Sequence, residues 1–481
     1  MKVAKLFLLL KKLSSEEFKA LKKAVYSPIY TSNIRVGLLY EALRPYHPIY
    51  DTTTISKEQL FLKVFPNEPY SDQKLRRIFS QFKALIEQAL LHWRINNDEY
   101  KKQKMLSDIY KERDLIDIHK TKLTQVLSIL DKQQALDSEQ LRDKAMVMRD
   151  LCYLNKTDFK ISLVYLKQLL DNLDQYYITE RSLVNLDLKT IEKTLGKQDI
   201  ACPLFAELPG SLLLKEAPIN LQLYTQLTNL IEEVNDSKYN KIEQDYWNNY
   251  DQLSPRDQKL IFHHLTNFCT NEINLGNLIY RQKLMDLYQI ALEKDLLINK
   301  NDQIDIVQYR NIATLGVLIG NFEWAENFIN DYEKYLIKEE RVAVKNISLG
   351  FLHFYKKEFN KVTDILHSQT FLNINNTLSA KSLLLRSYFE LLVTDRQYFT
   401  LFDSFSDSFA IYIKRKKISK DKGKRYISLI RVLKKIATRI NSRKKYKHLI
   451  KKWKMEVSTE NAIASKGWIL EKMEALKTNQ K

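Results

Sequence analysis

Residues 309–336 read YRNIATLGVLIGNFEWAENFINDYEKYL. The first half carries Tyr309, Ile312, Ala313 and Gly316 at helical spacing, and the second half carries Phe322, Ala325, Ile329 and Tyr332 on one face. Gly320-Asn321 interrupts the helical period, as a left-handed C-cap and turn require. The stretch therefore predicts two amphipathic helices folded against each other. Ala313, Gly316 and Ala325 are small enough to let two helix backbones approach closely, while large residues fill the flanks. Such a pair cannot bury its outer faces alone, which implies stacked neighbours.

The surrounding chain is consistent with this. Its 481 residues contain only 9 Gly and 9 Pro, and no Pro follows Pro255. The commonest helix breaker is thus absent from the last 226 residues, strand signals are sparse, and the chain reads as all-α. The turn residues Gly276, Gly320 and Lys357 lie 44 and 37 residues apart, a loose repeat. A further pair is read in AKSLLLRSYFELL followed by YFTLFDSFSDSFAIYI.

The GNFEWA run, with Tyr309 upstream, resembles the tetratricopeptide repeat. Ile312-Ala313 stands where that motif has Leu-Gly, and Leu349-Gly350 restores the pair in the next unit, followed by Phe359 and Val362 in the second helix. The resemblance implies a right-handed α-solenoid of helical hairpins that binds peptides or proteins in its groove, without catalysis. The expected organisation is a helical N-terminal unit (1–95), a first helical array (96–195), a linker or irregular loop (196–218), a tetratricopeptide-like array (219–410) and a basic helical cap (411–481). The linker is marked by two of the nine glycines and three of the nine prolines.

In the N-terminal unit, Leu6, Leu9, Leu10 and Leu13 begin an apolar face, and Ser14-Ser15-Glu16-Glu17 reads as a capping box. Ser71-Asp72 caps a long helix with Leu75, Ile78, Phe79, Phe82, Leu85, Ile86 and Ala89 on one side. The run from Ile55 to Leu90 resembles the helix-turn-helix of certain winged-helix regulators. That likeness would place Lys74, Arg76, Arg77 and Lys83 on a recognition helix, where cations meet phosphates and guanine edges. No β-hairpin wing follows Leu91, and the bland reading is a helical cap with solvated charges. Farther on, residues 98–196 predict three or four long helices. The last of these, from Phe159 to Thr194, has Leu166, Leu169, Leu170, Leu173 and Tyr177 on a face, with Tyr176-Tyr177 read as core. Ser254-Pro255 starts another helix, with Asp257 in its first turn.

The net charge of +19 is concentrated. Residues 414–454 hold 19 of the 77 Lys and Arg and one of the 58 acids, a balance of +18 that leaves +1 for the rest of the chain. After a predicted break at Ser419–Gly423, Tyr426, Leu429, Ile430, Leu433, Ile436, Ala437 and Ile440 form one helical face. Lys424, Arg425, Arg431, Lys434, Lys435 and Arg439 form the other. Tyr446, Leu449, Ile450 and Trp453 make a second seam, flanked by Lys444, Lys445, Lys451 and Lys452. A terminal cap needs a polar face, but mixed signs would serve solubility, and a single-sign field favours an anionic partner. Nucleic acid, an acidic protein and a membrane surface are the candidates, in that order.

Catalytic motifs are missing. Gly196 and Gly423 each precede a Lys but lack the rest of a phosphate loop, and neither G-x-S-x-G nor H-E-x-x-H occurs. His263-His264 are adjacent, so on a helix they point about 100° apart and predict one packed and one solvated ring. Cys152, Cys202 and Cys269 have neither metal nor disulfide-framework spacing and read as free thiols. No stretch has signal-peptide or membrane-span character, so a cytoplasmic location is expected. The opening LSSEEFKAL, the YSPIYTSN run and IATLGVLIGNFEWAENFI are also similar to a group of long all-helical bacterial proteins, a likeness that supplies no activity. The expectation is a non-enzymatic scaffold or adaptor without cofactor, binding a protein partner along the superhelix and an anionic partner at the cap. The alternative is a nucleic-acid-binding regulator using 56–91 and 414–454. Nothing in the sequence sets the oligomeric state.

Overall fold

The computed structural model describes residues 2–47, 50, 55–133, 135–155, 158–195, 218–299, 302–369, 371, 373–416, 418–442, 447–460 and 462–478. Their regular secondary structure is helical, with one isolated bridge between Ile298 and Ile304 and no strand among them. Two compact units divide at Leu265/Thr266. The linker read at 196–218 lies outside the described residues apart from Pro218, as does Cys202.

The first unit opens with α1 (Lys2–Lys11), α2 (Ser15–Val25), α3 (Ile34–Leu43), α4 (Lys57–Val64) and α5 (Asp72–Asn96). Ser14 and Glu17 form the capping box reciprocally: Glu17 N–H donates to Ser14 Oγ at 3.1 Å, and Ser14 N–H donates to the Glu17 carboxylate at 2.8 Å. All seven apolar residues read on α5 are buried, in one core with Leu6, Leu10 and Phe61. Next come α6 (Glu99–Lys111), α7 (Ile116–Asp131), α8 (Ser138–Leu154), the 37-residue α9 (Phe159–Leu195), α10 (Ile219–Glu232), α11 (Asp236–Asn248) and α12 (Pro255–Asn274), which carries the unit boundary.

At the start of α12, Asp257 is fully buried and accepts from Tyr224 Oη at 2.5 Å, Ser254 Oγ at 2.7 Å and Asn220 Nδ2 at 3.3 Å. This first-turn carboxylate therefore ties α10 to α12. On α9, Tyr177 is exposed rather than core, while Thr179, Ser182 and Leu183 on another side of the helix are buried.

The second unit continues with α13 (Tyr280–Glu293), α14 (Ile306–Leu318), α15 (Phe322–Tyr332), α16 (Lys338–Tyr355), α17 (Phe359–Leu366), α18 (Ile374–Thr394), α19 (Phe399–Arg415), α20 (Lys420–Asn441), α21 (Lys447–Thr459) and α22 (Lys466–Thr478). Gly276, Gly320 and Lys357 all adopt positive φ, at 98°, 84° and 62°. Each makes the same pair of bonds. At Gly320, its N–H donates to Val317 O at 3.1 Å and the Asn321 N–H donates to Gly316 O at 3.0 Å; the others repeat this. Asp114, in the first unit, makes the same turn at φ 56°.

Seven residues before the turn, these four helices carry Ser107, Cys269, Ala313 and Gly350, all small and all buried, whereas α13, which ends on the same bonds at Asp295 (φ 53°) but is followed by a helix only at Ile306, carries the buried Tyr288. The recurrence has a packing cause: two turns back from a tight hairpin, the helices are still close and a large side chain does not fit. Gly316 obeys the same constraint, since a Cβ there would lie 3.1 Å from Ala325 Cβ and 3.2 Å from Trp324. Ala313 and Ala325 are buried and Phe322 is half-buried; Phe328, outside the face expected for the second helix, is buried too.

One boundary differs from the expectation. Gly423 does not interrupt α20, which already begins at Lys420, after Ser419. Gly423 is buried within the helix, where a Cβ would make an ordinary van der Waals contact with Ile413 Cγ2 at 3.5 Å, so neither a turn nor a close approach requires glycine there.

Candidate anionic-partner interface

Helix α20 is built on a strict two-sided pattern. Leu429, Ile430, Leu433, Ile436, Ala437 and Ile440 are all buried in one core with Ile450 and Trp453 of α21 and Ile463, Ile469 and Met473 beyond it. Tyr426 is half-buried against that core and Tyr446 lies outside the described residues, so Tyr426 and Trp453 serve packing rather than base stacking. Fixing the apolar side toward the core directs the intervening cations outward.

Those cations fall into two groups. Arg431 pairs with Glu460 at 2.5 Å, Lys435 pairs with Glu456 at 2.7 Å, and Lys434 sits between Asp403 at 2.7 Å and Asp407 at 2.8 Å. Partial burial disfavours the Lys434 ammonium, but the bonds from the two aspartates outweigh it and hold its pKa above the ordinary value. The bond from Lys435 pulls the Glu456 carboxyl below its ordinary range. The second group is Lys424, Arg425, Arg439, Lys451 and Lys452, which have no carboxylate within ion-pair distance among the described residues, although Lys452 helps to lower the pKa of Glu456; all but the half-buried Arg439 are exposed. Lys444 and Lys445 lie outside the described residues. Between α20 and α21 runs an open groove of ≈ 650 Å³, lined by Lys424, Arg431 and Lys435 on one side and Glu456 and Glu460 on the other.

No protein-family model, curated protein or solved structure matches this chain. The site is therefore read from its own geometry. The sequence window 414–454 overstates the field because the neutralising acids lie outside it, at Asp403, Asp407, Glu456 and Glu460. The i,i+4 pair Asp403 and Asp407 on α19 is the available signal, but only helix packing shows which cations it meets.

The helix-turn-helix residues are placed on the outer face of α5. Lys74 pairs with Glu68 at 2.5 Å, Arg76 with Asp72 at 2.5 Å and Lys83 with Glu87 at 2.6 Å. Arg77 is exposed and has no carboxylate among the described residues. This face is thus a lattice of opposite charges, unlike the outer ends of α20 and α21.

Two buried charged groups carry no signal in the sequence pattern. Arg386 on α18 lies between the rings of Phe354 at 4.7 Å and Trp468 at 5.6 Å, and burial lowers its pKa to about 10. Glu390, one turn on, pairs with Lys472. Elsewhere, His264 is buried and His263 exposed, as the adjacent spacing required. Burial lowers the His264 pKa even though Asp187 lies 3.7 Å away. Among the described residues no group of three or more His, Cys, Asp or Glu side chains could hold a metal ion, and no helix is long and apolar enough to cross a membrane.

Proposed function

We propose that this chain is a non-enzymatic helical scaffold whose C-terminal cap engages the phosphate backbone of a nucleic acid. In this reading its hairpins stack as a right-handed tetratricopeptide-like solenoid, and a protein partner binds along the superhelix. The supporting observation is the second group of cations. Lys424, Arg425, Arg439, Lys451 and Lys452 have no carboxylate partner among the described residues, and they stand on helices whose opposite sides are locked in a core. Rigid presentation of unpaired cations lowers the ordering cost of phosphate contacts, and each contact releases condensed counterions. The recurrent hairpin turn at Gly276, Gly320 and Lys357 supports the stacked reading. The alternative, a regulator reading DNA through 56–91, is less favoured because three of its four contact cations are already paired.

The test is fluorescence anisotropy with mixed DNA and RNA fragments across a salt series. The intact chain is compared with a variant in which Lys424, Arg425, Arg439, Lys451 and Lys452 are all changed to Gln. Binding with a steep salt slope, lost in the variant, supports the reading. For duplex DNA the slope of log K against log salt should not exceed about 4 to 5 for five phosphate contacts. No binding at low salt overturns it, and the cap is then to be tested against acidic proteins.

A further inference from the structure

Along α9, Phe159, Leu163, Leu166, Leu170, Leu173 and Tyr177 follow one another at intervals of four, three, four, three and four. This is the 3.5-residue period of a coiled-coil seam, which keeps one narrow stripe facing a partner helix. The stripe is bare: Phe159 is 83% exposed, Leu170 61%, Leu163 53%, Leu166 44% and Tyr177 42%, with Leu173 half-buried. Core contacts within the unit use another face of the helix, where Ser162, Thr179, Ser182, Leu183 and Leu186 are buried. The seam stops where the period reaches Glu180, which is engaged by Ser138 and by Arg256 at 3.2 Å.

We infer that residues 159–177 of α9 form an antiparallel coiled coil with α9 of a second copy of this chain. The seam is self-complementary in that orientation. With the two-fold axis beside residue 168, Leu166 faces Leu170 of the second copy, Leu163 faces Leu173 and Phe159 faces Tyr177. Every pair thus sets one seam position against the other, as antiparallel packing requires. The balance of flanking charge is compatible with the same orientation. Lys160 and Asp174 flank the seam on its open side, both exposed and neither with an ion-pair partner among the described residues. Antiparallel pairing sets each Lys160 beside Asp174 of the other copy, twice over, against a single like-charge approach of the exposed Lys167 to its own copy near the axis. Opposed helix dipoles add to the preference. The contact spans about 27 Å at 1.5 Å per residue. Two isolated helices of this length would pair weakly in water, but here each helix is already ordered by its own unit, so little ordering cost remains.

Sedimentation velocity and light scattering on the full chain, across protein concentration, test the inference. The expected result is a reversible doubling of mass within the micromolar range. It should be abolished by Leu166→Glu with Leu170→Glu at unchanged helical circular dichroism, and reduced by the milder Leu170→Gln. Lys160→Asp and Asp174→Lys should each weaken dimerisation at least several-fold, and the double variant should restore it. A chain that is monomeric at every concentration overturns the proposal and leaves the seam to a helix of another protein. A dimer insensitive to the Leu166 and Leu170 variants overturns it as well, and a dimer that the charge reversal fails to restore overturns the antiparallel register.

Discussion

Gly350 and Leu366 are in contact so close that a Cβ on Gly350 would lie 2.8 Å from Leu366 Cδ1 and 3.2 Å from its Cγ, with Leu383 Cδ2 at 3.3 Å. The position is in the interior of α16, where alanine would otherwise be preferred by about 1 kcal/mol. Leu366 is buried and held by the same core, so it has little room to move aside.

Gly350→Ala should therefore destabilise the protein by about 1 kcal/mol, and Gly350→Val by about 3 kcal/mol, because overpacking outweighs the propensity gain. At Gly467, in the first turn of α22, an added Cβ would meet nothing within 4 Å, and Gly467→Ala should be stabilising by about 0.5 kcal/mol. Chemical denaturation of the three variants checks the order; a stabilised Gly350→Ala would contradict the close approach.

The division of cations on α20 makes a binding prediction. Changing Lys424 and Arg425 to Gln should weaken nucleic-acid binding several-fold and lower the salt slope. Changing Arg431 and Lys435 should alter affinity by less than about twofold, since their charges are already matched by Glu460 and Glu456. Equal losses from both pairs, measured by anisotropy, would show that ion pairing does not govern the interface.

Asp257 carries a pH signature. Burial raises its pKa, against the bonds from Tyr224, Ser254 and Asn220 that favour the carboxylate. With the folded pKa above the unfolded one, its contribution to stability is full below the unfolded value and is lost as pH rises through the folded value. Asp257→Asn should therefore gain stability relative to the native chain as pH rises from about 4 toward neutrality, since the unfolded pKa is about 3.9. Asp257→Ala should cost about 3 kcal/mol by leaving three donors without their acceptor. Urea denaturation across that pH range checks both, and a flat difference between Asn and Asp would refute the first.

Arg386 tests whether its buried charge serves stability. Glu390 already has Lys472, so Arg386→Met leaves no orphaned carboxylate and keeps most of the contact with Phe354 and Trp468. It should change stability by less than about 1 kcal/mol, as replacements of buried ions by apolar residues of similar volume often do. Arg386→Ala should cost about 3 kcal/mol through the cavity it opens. Similar losses in the two variants, by thermal melting, would mean that the guanidinium itself is required.

Local rules are enough for much of this molecule. The capping box at Ser14 and Glu17, the buried side of α5, the turns at Gly276, Gly320 and Lys357 and the core side of α20 all follow from residues a few positions apart. Their energies depend on helical spacing, caps and φ, which the sequence states directly. Gly423 misleads because a glycine can be carried inside a helix without making a turn, and only the course of the backbone from Lys420 onward shows that it is. The same holds for charge and for exposure. A count of cations along α20 does not reveal that Asp403, Asp407, Glu456 and Glu460 come within bonding distance. The leucines of α9 carry the same pattern whether covered or bare. The sequence by itself determined which faces are apolar and which are charged, because that is a property of one helix. Tertiary structure alone decided which of those faces were already matched, because matching belongs to pairs of helices and depends on how they pack, even when they are neighbours in the chain.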